Sequence, residues 1–254
     1  MKHDSNQMDE LVSNHSPENI RQRLEAKPEQ SFLSDFIYGA IDGTVTTFAL
    51  ISGVAGAGLS SNIVIVLGIA NLVGDGFSMA ASNFLGKRAD LQLRDSARSM
   101  EHRHIDLWPQ GEREEIRQIF AAKGFSGDEL ERVVDVITSD RERWVNTMLT
   151  EELGLSPTIS SPTKAALMTF FAFVGVGLIP LLAFLIHFVA PHWAFDSFFW
   201  SCILAAGTFF AVGATKSRFV QQHWLWAGFE TMALGGSAAL LAYLVGALLG
   251  GSAH

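Results

Sequence analysis

Apolar residues gather into five long runs separated by polar segments. A helix needs about 20 mostly apolar residues to cross a bilayer. Each run meets that requirement: about Phe32 to Leu59, Asn62 to Leu85, Lys164 to Val189, Ala194 to Thr215, and Trp224 to Gly250. Small residues recur in them, as Gly53, Gly56 and Gly58, or Gly235, Gly236, Ser237 and Ala238. Helices in lipid pack closely through such residues, because apolar surface alone gives little drive there. The pattern predicts an all-α membrane protein with five crossings.

The second and third runs flank a charged block from about Gly86 to Pro162, which reads as a three- to four-helix domain. Residues 87–106 continue the second crossing without a Gly or Pro break, until Pro109 and Gly111 punctuate. Glu112 to Lys123 reads as the next helix, stopped by Gly124. Ser126 and Glu129 form the signature of a capping box for a third helix. Asp140 to Glu152 is the last, stopped by Gly154 and Pro157. Ile116, Ile119 and Phe120, then Val133, Val134, Val136 and Ile137, give these helices a side to bury.

The chain is 48% hydrophobic over 254 residues, an average that hides this segregation. Its net charge of -8 argues against a nucleic-acid partner, which calls for a basic face. A single cysteine, Cys202, excludes an internal disulfide and multi-thiolate zinc sites. The first thirty residues do not read as a secretory signal, so the first crossing is expected to act as its own insertion signal. No Walker-type glycine loop occurs, so no nucleotide partner is expected.

Basic residues stay on the cytoplasmic side of membrane proteins. Lys2, Arg21, Arg23 and Lys27 precede the first run; Lys87, Arg88 and Lys164 bound the charged block; Lys216 and Arg218 follow the fourth run. The loops near Ser60 and at 187–196 carry no Lys or Arg. Five crossings place every basic residue on one face, with the N-terminus cytoplasmic and the C-terminus outside. The expected organisation is a polar cytoplasmic leader (1–31), crossings one and two (32–86), a cytoplasmic helical metal-binding domain (87–162), crossings three to five (163–250) and an outer tail (251–254).

Ionisable residues inside a membrane are costly and mark functional sites by default. Asp42 is mid-span, and Asp35 lies two helical turns before it on the same face. On the second crossing Asn71, Asp75 and Met79 are spaced by four, with Ser78 and Ser82 beside them. Carboxylates suit hard or borderline divalent ions, and a thioether favours softer transition metals. The competing reading is that these residues only pair or pack within the bundle. Glu230 reads as snorkelling, and His187, His192 and Asp196 as a solvated outer loop.

The charged block carries a second constellation. Glu101 and His104 share a helix face, as do Glu112 and Glu115, and Met148 and Glu152. Such a set suits Fe²⁺, Mn²⁺, Co²⁺ or Zn²⁺ better than Ca²⁺ or Mg²⁺. The alternative is an ordinary solvated face.

These residues resemble the vacuolar iron transporter family, as a bacterial-type member. The strings that carry the likeness are Tyr38-Gly39-Ala40-Ile41-Asp42-Gly43, Phe48-Ala49-Leu50, Gly76-Phe77-Ser78-Met79, Glu112-x-x-Glu115-Ile116 and Met148-x-x-x-Glu152-Leu153-Gly154-Leu155. The likeness spans about Asp35 to Gly250; crossings three to five match mainly in hydropathy. It implies a homodimer in the cell's inner (plasma) membrane that exports Fe²⁺, and often Mn²⁺, in exchange for protons. By position, Asp42 and Met79 would be transport-site ligands and Asp35 an acid at the cytoplasmic mouth. Departures from the family's pattern are His104 where a Glu is usual, Leu149 in place of a Met, and Asn71 in place of a carboxylate.

Two other functions remain open on the residues alone. Glu101-x-x-His104 is half of a helical di-iron ligand pattern, which admits a membrane-anchored ferroxidase. A metal sensor without transport is the other.

Overall fold

The computed structural model describes residues 8, 11–25, 32–156, 160–193, 195–220 and 222–250. The expectations for Lys2, Lys27, Pro157, Ala194 and the tail 251–254 fall outside them. The chain divides into two units, Met1–Ser31 and Phe32–His254. In the first, α1 (Pro17–Glu25) is a short polar helix. Ser16 Oγ accepts from the Asn19 N–H at its start.

The second unit is helical among its described residues. Five of its helices are long and apolar enough to cross a membrane: α2 (Leu33–Gly56), α3 (Ser61–Leu107), α7 (Pro162–Val189), α8 (Ser197–Val220) and α9 (Trp224–Gly250). Between α3 and α7 lie α4 (Pro109–Ala122), α5 (Gly127–Thr138) and α6 (Arg141–Glu151).

The longest element is α3, with 47 residues, or about 70 Å at 1.5 Å per residue. Its apolar half ends near Leu85, and its second half carries charge without breaking the helix. Pro109 then does two things at once. It bars the preceding residue from helical geometry, and Trp108 leaves the helix at φ -148°, ψ 69°. It also takes the first position of α4, where its missing N–H costs nothing. The helix expected from Glu112 therefore begins three residues earlier.

In the charged block the remaining helix ends follow the sequence with one exception, while α2 stops at Gly56, short of Leu59, and α8 runs past Thr215 to Val220. Asp140 caps α6 by accepting the Arg143 N–H at 2.8 Å. Ser126 stands at the cap of α5 in extended geometry, but its side chain makes no capping bond. The expected capping box does not form.

The apolar helices share one core, in which Phe48, Ile51, Leu72, Phe173, Leu181 and Phe209 are nearly or fully buried. In that core α2 packs against α7 and α9, and α3 packs against α7. A second, separate core joins the charged half of α3 to α4, α5 and α6 through Ile105, Ile116, Val134, Trp144, Val145 and Met148. Ion pairs brace its surface, among them Arg117–Glu131 at 2.8 Å, Arg141–Asp106 at 2.6 Å and Lys123–Glu151 at 2.6 Å. Exposed pairs of this kind contribute little each, typically under about 1 kcal/mol. Burial of the apolar faces holds the unit together.

Candidate metal sites

The position of Asp42 is set by its neighbour Gly43. A Cβ at Gly177 of α7 would lie 2.7 Å from the Gly43 carbonyl oxygen. One at Gly39 would lie 2.5 Å from the carbonyl oxygen of Thr169. Here α2 and α7 meet backbone to backbone, which only glycine permits. Asp42, one residue along, is thereby turned away from α7 and faces α3.

It faces a cavity of about 410 Å³ lined by Ser34, Asp35, Tyr38 and Asp42 of α2 and by Met79, Ser82, Asn83 and Lys87 of α3. Two carboxylates and a thioether thus border one space, a donor set suited to divalent transition metals. Asp35 is 7% exposed. Asn83 Nδ2 donates to Asp35 Oδ1 at 2.8 Å and to Thr169 Oγ1 at 2.8 Å. Thr169 Oγ1 donates onward to the Ala165 carbonyl at 3.0 Å. Asp35 Oδ2 is buried and has no partner.

Asn71 and Asp75 do not line this cavity. Asn71 donates to the Asp75 carboxylate, and Asp75 is exposed on the surface of α3. The difference is depth along the helix. The α3 lining runs from Met79 to Lys87, and Asp75 and Asn71 lie about 6 and about 12 Å before Met79 at 1.5 Å per residue.

Asn83, Lys87 and Thr169 are site residues that the sequence reading passed over. Continuing the stripe Asn71–Asp75–Met79 by two further steps of four lands on Asn83 and Lys87. Thr169, on another helix, had no such signal.

The second site forms where the end of α3 meets α4. Glu101, His104 and Glu112 each offer a ligand atom, all within 4.8 Å of one another. Glu101 and Glu112 are buried carboxylates, and Oε2 of each has no hydrogen-bond partner. His104 Nδ1 lies 3.3 Å from Glu112 Oε1.

Burial pushes the Glu101 carboxyl up from its ordinary value. Burial, then the charges of Glu115 and Glu101, push Glu112 up to about 7. Burial, then Glu115 and Glu101, raise Glu152 as well. Acids crowded with little counter-charge and with orphaned oxygens fit a divalent cation. Three of the expected residues, Glu101, His104 and Glu112, come together, and the charges of Glu115 and Glu152 are felt at Glu112. Met148, one turn before Glu152, lies fully buried within the apolar core.

Two surface readings resolve differently. Asp196 Oδ1 accepts from the backbone N–H groups of Phe198 and Phe199, at 2.9 and 3.1 Å, and so caps α8. His187 Nδ1 is buried without a partner, and its ring stands edge-on to Phe195. These two are built into the fold rather than loosely solvated. Glu230 lies 3.9 Å from Lys216.

The model of the VIT family matches residues 33–247. The chain is 32% identical over 225 residues to a vacuolar iron transporter of Toxoplasma gondii, covering 86% of this chain and 74% of that protein. It is 30% identical over 210 residues to vacuolar iron transporter 1 of Arabidopsis thaliana, covering 82% of each. It is 28% identical over 228 residues to a vacuolar iron transporter of Plasmodium berghei, covering 87% and 83%. These relatives are named as transporters rather than enzymes.

Proposed function

This chain belongs to the VIT family, and on that premise we propose that it exports Fe²⁺, and Mn²⁺ beside it, from the cytoplasm in exchange for protons. Iron transport is the activity its relatives are named for. The observation that carries the reading is the shared cavity, in which Asp42 and Met79 stand on facing helices with Asp35 on the same wall.

The mechanism follows from the donors. In this reading Glu101, His104, Glu112, Glu115 and Glu152 collect the cation on the cytoplasmic side and raise its local concentration. The α3 helix runs unbroken from that cluster to the bundle, so both stations sit on one rigid rod. Asp35 receives the ion, and Asp42 with Met79 holds it in the bundle. A carboxylate binds either a proton or a metal ion. Protons entering from the acidic outer side displace the metal from Asp42 and are carried back.

The working form is a homodimer in the cell's inner membrane, with the N-terminus cytoplasmic and the C-terminus outside. Support comes from α3, whose Asp75, Ser78 and Ser82 are exposed on the single chain. Polar groups facing lipid are costly. A second copy against this face would cover them and close the route.

Purified protein in proteoliposomes with an imposed pH gradient tests the reading. Fe²⁺ and Mn²⁺ are expected to accumulate only with the gradient, and Ca²⁺ and Mg²⁺ not to follow. Uptake indifferent to the gradient would overturn proton coupling, and no uptake at all would overturn transport.

A further inference from the structure

Asn83 occupies a place that neither the charge pattern nor the donor set of the cavity requires. It is uncharged, and its amide nitrogen is held from two sides by different helices. Asp35 Oδ1 of α2 accepts one hydrogen at 2.8 Å, and Thr169 Oγ1 of α7 accepts the other at 2.8 Å. The Thr169 hydroxyl has given its only hydrogen to the Ala165 carbonyl, so toward Asn83 it can only accept. A carboxylate and a spent hydroxyl fix the amide's orientation: both neighbours need a donor, and the NH₂ group is the one Asn83 has. The amide nitrogen is therefore a clamp joining three helices at the wall of the cavity.

The clamp leaves the Asp35 carboxylate divided. One oxygen is tied down by a neutral donor, which fixes the side chain without cancelling its charge. The other, Oδ2, is buried and has no partner. A buried carboxylate oxygen left without a donor is costly. Asp35 and Asn83 both line the cavity that also holds Asp42 and Met79. The unmatched oxygen is the one a cation would satisfy.

We infer that Asn83 is a positioning residue for cation capture: its amide, steadied by Thr169, pins Asp35 so that one carboxylate oxygen is presented to the incoming divalent ion. This rests on the transport reading above. It separates Asn83 from the ligands, because Asn83 acts through Asp35 rather than on the metal.

The test is a mutant cycle in proteoliposomes, with Mn²⁺ as the transported probe. Asn83→Leu keeps the volume and removes the donor. Its KM is expected to rise about tenfold, the scale of losing a hydrogen bond to a charged group, with kcat nearly unchanged. Thr169→Val, which loosens the clamp from the other side, is expected to raise KM less. In an Asp35→Ala background the Asn83→Leu change is expected to have no further effect on KM.

A direct ligand role for Asn83, or a merely structural one, would leave the Asn83→Leu penalty intact without Asp35, and either result overturns the inference. So does an unchanged KM in Asn83→Leu. Should Asn83→Leu fail to yield folded protein, the same cycle run with Thr169→Val decides by the same criterion. If the unsubstituted protein moves no Mn²⁺ or Fe²⁺, the transport reading falls and takes this inference with it. Transport by the parent with an additive cycle sinks the inference alone.

Discussion

His104 Nδ1 lies 3.3 Å from Glu112 Oε1, joining the last turn of α3 to the first turn of α4. Glu112 is nearly buried while His104 is exposed, so the pair spans from interior to surface. An imidazole that shares a cation with Glu101 and Glu112 is a ligand; one that only faces Glu112 is a surface partner. His104→Ala in the full-length protein is expected to weaken Co²⁺ or Mn²⁺ binding by at least about tenfold, as loss of even an outer-shell partner does. Glu112→Gln should weaken it further. Titration calorimetry in detergent decides, and unchanged affinity in His104→Ala would remove it from the ligand set.

The raised Glu112 carboxyl makes a prediction with a definite sign. Its pKa moves from 4.5 up to about 7 in the folded chain. Between those values the folded protein holds a proton that the unfolded chain has released. Stability of the metal-free protein must therefore fall as pH rises from about 5 to about 7. The effect is on the order of 1–3 kcal/mol, since each tenfold gain in proton affinity is worth about 1.4 kcal/mol. Metal binding runs the other way and tightens over the same window, because the ion must displace the proton. Melting temperatures across pH 5 to 8, with and without Mn²⁺, should diverge as pH rises. Glu112→Gln should flatten the metal-free curve.

How far the sequence foretold this arrangement depends on what kind of signal each part left. The five apolar helices were legible because long apolar runs are a local property, and α9 matches its expected ends, Trp224 and Gly250. The unbroken α3 was legible too, since nothing between Gly86 and Pro109 interrupts it. Spacing rules went astray where they were run too long or too short. A stripe spaced by four says which residues share a face but not at what depth the cavity lies, so Asn71 and Asp75 fall short of it while the unread continuation to Asn83 and Lys87 enters it. Asp196 and His187 looked like loop residues because their roles, a helix cap and a packed ring, depend on partners brought in by the fold. Thr169 left no trace at all, since its meaning comes only from Asn83 across the helix interface.

Gly43 packs against the backbone of Phe173, and its carbonyl is in turn approached by Gly177. A side chain there cannot be accommodated by turning another side chain, because the obstacle is main chain. Gly43→Val is expected to force α2 from α7 and carry Asp42 with it. Loss of monodisperse protein on size exclusion, or a drop of several degrees in melting temperature, would mark it. A Gly43→Val protein with full stability and full uptake would show that this contact does not place Asp42.

Lys87 lines the same cavity as Asp35 and Asp42. An ammonium group beside two carboxylates competes with an incoming cation for their charge. Lys87→Met, similar in length and uncharged, is expected to lower the KM for Mn²⁺ about two- to fivefold at low salt. The gain should shrink as ionic strength rises, because exposed charges are screened over about 10 Å at 0.1 M salt. A gain unaffected by salt would point to shape rather than charge.

Met79 and Asp42 line one cavity from two helices, and their chemistry predicts different losses. The carboxylate supplies the charge that any divalent cation needs. Asp42→Ala is therefore expected to abolish uptake of Fe²⁺ and Mn²⁺ alike. The thioether supplies softness, which distinguishes between ions. Met79→Leu conserves volume and removes the sulfur, a swap that packed interiors tolerate well. It should lower uptake of Fe²⁺ and Co²⁺ more than that of Mn²⁺, the hardest of the three, so that their ratio shifts by about threefold or more. Competition assays, with one labelled ion and the others unlabelled, read that ratio directly. An equal loss for all three ions would mean that Met79 fills space beside the route without touching the ion. An unchanged rate in Asp42→Ala would move the transport site elsewhere in the bundle.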